Sequence, residues 1–199
     1  MKTPSEALFA QYPTRWPPLV PALITGARLV AAPVMAILAY FGTNPQVLFW
    51  IILGAALSDY LDGWVARRLH RTSFEGKVLD FMADKVFLSV AFLVLARAGW
   101  IEPVIAAVLV SYHLLVLAAT TVVSWSVGKP LVVIPTSEKL VVILSFVLAA
   151  GAAGAAAFPG KGVYSAIAHT VEFLALASLV FGIAGYLRLI RRILRRFGK

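Results

Sequence analysis

Residues 46–98 read QVLFWIILGAALSDYLDGWVARRLHRTSFEGKVLDFMADKVFLSVAFLVLARA. Two apolar runs flank a short basic connection, and each run has about the 20 residues that a membrane helix needs. The runs predict a helix from about Gln46 to His70 and a second from about Lys77 to Ala98. Four carboxylates, Asp59, Asp62, Asp80 and Asp84, sit toward the ends that the connection joins. At roughly 100° per residue, Asp59, Asp62, Gly63 and Ala66 share one face of the first helix. Lys77, Asp80 and Asp84 share one face of the second. A connection this short predicts antiparallel neighbours whose Asp pairs face each other.

The same apolar texture runs outward in both directions. Further helices are expected at about Leu19–Phe41, Glu102–Val127, Ser137–Phe158 and Tyr164–Leu194. The chain has 199 residues, 61% of them hydrophobic and 14% charged, with a mean hydropathy of +0.89. An ordinary soluble domain is about 45–50% apolar and about 25% charged, so the composition argues against a soluble globular enzyme and excludes a disordered chain. The expected fold is an all-α integral membrane protein in one domain, 1–199. Residues 1–18, with no apolar run of signal-peptide length, are expected to be a short amphipathic juxtamembrane segment, with a frayed tail as the alternative. Residues 19–194 form a bundle of six transmembrane helices, and 188–199 a basic tail. The Gly/Ala-rich run 149–157 predicts close helix packing.

The basic residues set the orientation. Of the 18 Lys and Arg, fourteen fall on one side: Lys2, Arg15, Arg67, Arg68, Arg71, Lys77, Lys129, Lys139, Arg188, Arg191, Arg192, Arg195, Arg196 and Lys199. Only Arg97 and Lys161 fall on the other, while Arg28 and Lys85 lie within spans. The positive-inside rule then places both termini, and the Asp-bearing ends, in the cytoplasm of a multi-pass inner or plasma membrane protein. This distribution accounts for the net charge of +9 without a nucleic-acid partner. The tail is expected to hold anionic lipid headgroups. Trp16, Trp50, Trp100 and Trp125 lie near helix ends, as interface anchors do.

Carboxylates at a membrane are expensive and need a cation or a metal. The chain has no cysteine, so thiolate sites and disulfides are excluded. Four carboxylates favour Mg²⁺ or Mn²⁺ over Zn²⁺. His70 lies roughly 16 Å along the helix from Asp59, too far to share an ion with it. Four carboxylates are enough for two divalent ions about 3.5–4 Å apart, an arrangement suited to phosphate or pyrophosphate chemistry. Gly63 and Ala66 leave room for a ligand, with the Arg67 cation beside it. A plain salt-bridge network with Arg67, Arg68 and Lys85 is the competing structural reading.

In order, the positions Asp59, Asp62, Gly63, Ala66, Arg67, Gly76, Asp80 and Asp84 spell D-x2-D-G-x2-A-R-x8-G-x3-D-x3-D. This string resembles the signature of the CDP-alcohol phosphatidyltransferase family at every specified position and gap. The resemblance implies an integral membrane enzyme, usually a homodimer, that cleaves the pyrophosphate of a CDP-linked alcohol and releases CMP. It implies that Asp59, Asp62, Asp80 and Asp84 are metal ligands and that Asp84 is also the general base for the acceptor hydroxyl. Asp59, Asp62, Gly63, Ala66, Arg67 and Gly76 match the CDP site. CDP-diacylglycerol is the implied donor, among membrane lipids.

The acceptor is less legible. LITGARLVAAPV, residues 23–34, with Thr25, Arg28 and Pro33, resembles a stretch of the bacterial glycerophosphate phosphatidyltransferases and cardiolipin synthases of this superfamily. Asp84-Lys85 resembles the D-K pair found there. Arg28, His113 and Lys139 are the candidate contacts to an acceptor phosphate. Arg28 is alternatively a snorkelling cation or an Asp partner, His113 a packed neutral ring, and Lys139 a solvated loop lysine. Those subfamilies carry an Arg followed by an acidic residue early in the fourth helix, where this chain has Tyr112-His113. Glycerol 3-phosphate is the favoured acceptor, and phosphatidylglycerol, serine and inositol phosphate are the alternatives. His169 and Glu172, one turn apart, are expected to pair. Two other classes compete. An intramembrane prenyltransferase needs its Asp motifs in distant hairpins, and a cation transporter leaves the Gly, Ala and Arg spacing unexplained.

Overall fold

The computed structural model describes residues 19–42, 44–69, 74–126 and 135–197. They form six helices: α1 (Leu19–Tyr40), α2 (Pro45–Leu69), α3 (Phe74–Arg97), α4 (Pro103–Ser126), α5 (Thr136–Ala157) and α6 (Gly162–Phe197). Among the described residues there is no strand. The largest departures from the expected bounds are equal: α3 begins at Phe74 rather than about Lys77, and α6 continues into the basic tail as far as Phe197 rather than about Leu194. The expected amphipathic segment, 1–18, and the tail residues 198–199 lie outside the described residues.

Local chemistry explains where the helices stop. Asn44 caps α2: its Oδ1 accepts the Gln46 N–H at 2.9 Å, and Pro45 occupies the first helical position, where no amide hydrogen is needed. α3 ends at Gly99, whose φ of 73° suits a residue without a Cβ. There the Trp100 N–H reaches the Leu95 carbonyl at 2.9 Å and the Gly99 N–H reaches that of Ala96 at 3.0 Å, closing the last turn. Pro103 then opens α4.

α1 packs against α2 and α3. α3 packs in turn against α4 and α5, and α5 against α2 and α6, while α4 touches α6. Both α1 and α5 touch α2 and α3. The expectation that the Asp pairs of α2 and α3 face each other concerns the ends joined by the short connection, where most side chains lie outside the described residues.

Large apolar side chains cover the outside as well as the inside. Leu23, Val30, Phe173, Val180 and Phe181 are all exposed, whereas Met35, Ile52, Phe87, Phe92 and Leu109 are buried. Such a surface suits lipid. α4, α5 and α6 contain stretches long and apolar enough to cross a membrane, Pro103–Val123, Ser137–Ala157 and Gly162–Arg191. α1 and α2 are apolar over the shorter lengths Thr25–Tyr40 and Pro45–Ser58. The charges that interrupt α2 and α3 belong to the site described below.

Lipid gives helices no hydrophobic reason to associate, so close contact and polar bonds decide the pairing. The α5–α6 interface shows the first of these. A Cβ on Gly151 would meet the Ala168 backbone nitrogen at 3.2 Å, and one on Gly154 would meet the Tyr164 ring at 2.6 Å. The expectation of close packing along 149–157 holds. Phe49 of α2 closes the same corner, its ring centroid 5.4 Å from that of Phe158 and 5.6 Å from that of Tyr164.

Candidate functional site

The site is built around Arg28. It sits in an otherwise apolar stretch of α1 and is almost fully buried. On a helix this apolar, a cation turned inward needs carboxylates facing it. α3 supplies two, one helical turn apart. Arg28 Nη1 donates to Asp80 Oδ1 at 3.2 Å and also to Asp84 Oδ1. Nη2 donates to Ser58 Oγ on α2 at 3.3 Å, and the Ser58 hydroxyl donates onward to the Ala55 carbonyl at 2.7 Å. One guanidinium therefore ties three helices together. The two carboxylates differ in access: the Asp80 side chain is 38% exposed and that of Asp84 12%. The inner one lies deeper among apolar neighbours, and the outer one opens toward the end of the bundle that carries the basic connection.

Ser58 directly precedes Asp59, so the Arg28 node reaches the part of α2 that bears the other two carboxylates. Asp59, Asp62, Gly63, Ala66 and Arg67 lie on the α2 helix and Gly76 on α3, but their side chains lie outside the described residues. Among the described residues no group of three or more His, Cys, Asp or Glu is placed to hold a metal. Asp80 and Asp84 present carboxylate oxygens from one face of α3, the hard donor type that a divalent cation such as Mg²⁺ or Mn²⁺ takes.

A second polar cluster stands on the other side of α3. Lys85 Nζ donates to Glu138 Oε1, and the Tyr112 hydroxyl donates to Glu138 Oε2. Glu138 lies in the first turn of α5 and is fully buried. A negative charge there also meets the positive end of the helix dipole. The sequence pointed to Lys85 but not to Glu138. The available signal was that Glu138 is one of only nine acidic residues in the chain, and the adjacent Lys139 drew the attention instead.

The acceptor candidates separate. Arg28 lies at the Asp node. His113 is fully buried on α4, its Nε2 3.2 Å from Ser145 Oγ on α5 and its ring stacked over Phe92 with centroids 6.4 Å apart. That is the packed-ring environment. Lys139 is exposed at the start of α5, next to Glu138. Lys129 and most of the α4–α5 connection, 127–134, lie outside the described residues. On α6, His169 Nδ1 and Glu172 Oε2 are 3.9 Å apart, a loose surface pair.

A family model described as CDP-alcohol phosphatidyltransferase matches residues 18–190. A protein named CDP-diacylglycerol–glycerol-3-phosphate 3-phosphatidyltransferase, from Aquifex aeolicus, is 40% identical over 70 residues, covering 34% of this chain and 38% of that protein. One of the same name from Pseudomonas fluorescens is 35% identical over 80 residues, covering 39% and 41%. A cardiolipin synthase (CMP-forming) / mitochondrial hydrolase fusion protein from Schizosaccharomyces pombe is 30% identical over 103 residues, covering 51% of this chain and 17% of that one. In these matches the chain spans less than half the length of each relative.

Proposed function

The chain belongs to the CDP-alcohol phosphatidyltransferase family, and from that premise we propose that it transfers a phosphatidyl group from CDP-diacylglycerol to an acceptor hydroxyl and releases CMP. Glycerol 3-phosphate is the proposed acceptor, giving phosphatidylglycerol phosphate, and the names of the bacterial relatives support this choice. The observation that carries the reading is the Arg28 node, which holds Asp80 and Asp84 on one face beside the segment of α2 that bears Asp59 and Asp62.

In the proposed reaction the acceptor oxygen attacks the phosphorus that bears diacylglycerol. The bond from that phosphorus to the bridging oxygen of CMP breaks, and CMP departs in line. Asp84, the less exposed carboxylate, takes the acceptor proton as general base. Asp59, Asp62, Asp80 and Asp84 would hold two Mg²⁺ or Mn²⁺ ions, which when bound would offset the pyrophosphate charge and stabilise the oxygens entering and leaving. Arg28 offsets part of the carboxylate charge at the node and meets both α3 carboxylates from one side. Gly63, Ala66, Arg67 and Gly76 are proposed to line the CDP moiety, and Lys139 to meet the acceptor phosphate as a point charge. The proposal includes six membrane crossings, cytoplasmic termini and site, and a homodimer. The one-sided basic residues and the apolar outer faces support the crossings and the orientation.

A second reading, transfer to phosphatidylglycerol to make cardiolipin, is favoured by the Schizosaccharomyces relative. One assay separates the two. Purified protein in detergent receives CDP-diacylglycerol, Mn²⁺ or Mg²⁺, and one acceptor at a time: glycerol 3-phosphate, phosphatidylglycerol, serine or inositol phosphate. CMP release with glycerol 3-phosphate that stops on adding EDTA supports the proposal. Release with phosphatidylglycerol alone supports the second reading. Release with none points to another CDP-alcohol or to cation transport.

A further inference from the structure

Lys85 follows Asp84 and leaves α3 about 100° further round the helix. The two charges are held by different neighbours. Asp84 meets Arg28 on α1, whereas Lys85 meets Glu138 on α5. The Lys85 ammonium also lies 5.4 Å from the centroid of the Phe81 ring. Both Glu138 oxygens are engaged, one by Lys85 and one by Tyr112 of α4. On α6, Gly182 lies so close to the Tyr112 hydroxyl that any Cβ would collide with it. One buried carboxylate thus fastens α3 to α4 and α5 at Lys85, while Arg28 fastens the preceding residue of α3, Asp84, to α1. A helix held at two adjacent positions on two flanks cannot turn about its axis without breaking one of the bonds.

We propose that Glu138, acting through Lys85 and Tyr112, is a positioning residue that sets the rotation of α3 and so aims Asp80 and Asp84. The proposal rests on the reading that these carboxylates carry the transfer reaction. Stability alone does not call for this pair, because apolar side chains of similar volume often replace a buried ion pair without loss. Aim is another matter, since a misplacement of about 1 Å at a reacting group can cost about a hundredfold in rate.

The test replaces the pair together, Lys85→Met with Glu138→Met, so that no unpaired charge is left buried. The chain has no cysteine, so single thiols report the rotation of α3 directly. Met82 is exposed and Ala83 fully buried. In the parent protein, maleimide is expected to label Met82→Cys and to spare Ala83→Cys. In the double variant Ala83→Cys is expected to label several-fold faster. The folded enzyme should lose about tenfold or more in kcat, with KM for CDP-diacylglycerol unchanged. Unchanged kcat, or a labelling contrast that survives, overturns the proposal. If the double variant does not fold, Tyr112→Phe keeps the ion pair and the ring. It should lower kcat and loosen the protection at position 83, and a variant that does neither overturns the proposal. A parent protein that releases no CMP refutes the proposed function, but the labelling contrast still decides the positioning.

Discussion

Arg28 on α1 and Asp84 on α3 stand 56 residues apart in the chain and form a buried ion pair. Asp80 shares the same guanidinium. Removing Arg28 takes away a positive charge that both carboxylates share, whereas removing either carboxylate leaves Arg28 with the other.

Asp84→Asn keeps the shape of the side chain and removes its capacity to take a proton. A positioned general base contributes about 10²–10⁴-fold, so CMP release should fall by at least that range's lower end. The variant should still elute as a folded species in detergent, with Arg28 retaining Asp80. Full turnover in Asp84→Asn would remove the base from Asp84.

Arg28→Met removes the guanidinium that Asp80 and Asp84 share. Breaking a buried pair by deleting one partner costs about 3–5 kcal/mol, visible as a large drop in the melting temperature in detergent. Arg28→Lys should recover part of the loss. Mn²⁺ should raise the midpoint of Arg28→Met more than that of the parent, because the ion supplies the missing positive charge. Equal shifts would show that the carboxylates do not take the metal.

The α5–α6 contact predicts a sharp contrast between two glycines. At Gly154 a new Cβ would sit 2.6 Å from the Tyr164 ring and 3.1 Å from Phe49, so Gly154→Ala should cost about 1–3 kcal/mol through overpacking. At Gly26 nothing lies within 4 Å of the added carbon. Gly26→Ala should hold or raise the melting temperature, since Ala is the better helix former by about 1 kcal/mol. Thermal denaturation of both variants in one detergent checks the pair.

His113 and Lys139 should behave oppositely. His113→Ala opens a hole beside Ser145 and Phe92, and is expected to lower stability while leaving KM for the acceptor within about twofold. Lys139→Ala, at an exposed position, should leave stability unchanged and raise KM for glycerol 3-phosphate. A tenfold rise in acceptor KM for His113→Ala at unchanged stability, equivalent to about 1.4 kcal/mol, would place the ring in the acceptor site instead.

Much of the fold was legible from local pattern. Apolar runs of membrane length, with Asn44, Pro45, Gly99 and Pro103 between them, located six helices to within a few residues. Local signals suffice there because a helix satisfies its own backbone and its ends need particular residues. The same holds for the Gly/Ala run on α5, whose composition announced close packing without naming the partner.

The carboxylate motif is likewise written locally, because Asp59, Asp62, Asp80 and Asp84 stand out in otherwise apolar runs. The sequence could not say which helix would lie beside which. Nothing local announced that α1 and α5 would each touch both α2 and α3. The sequence left Arg28 open between acceptor phosphate and Asp partner, and packing put the guanidinium on Asp80 and Asp84. It did not reveal the Lys85–Glu138–Tyr112 contact at all, since those residues come from three helices and are joined only when the bundle closes. Periodicity and caps act within a few residues and are written locally. The choice of partner across helices depends on the fit of whole faces and on which buried charges find each other, and only the assembled bundle decides that.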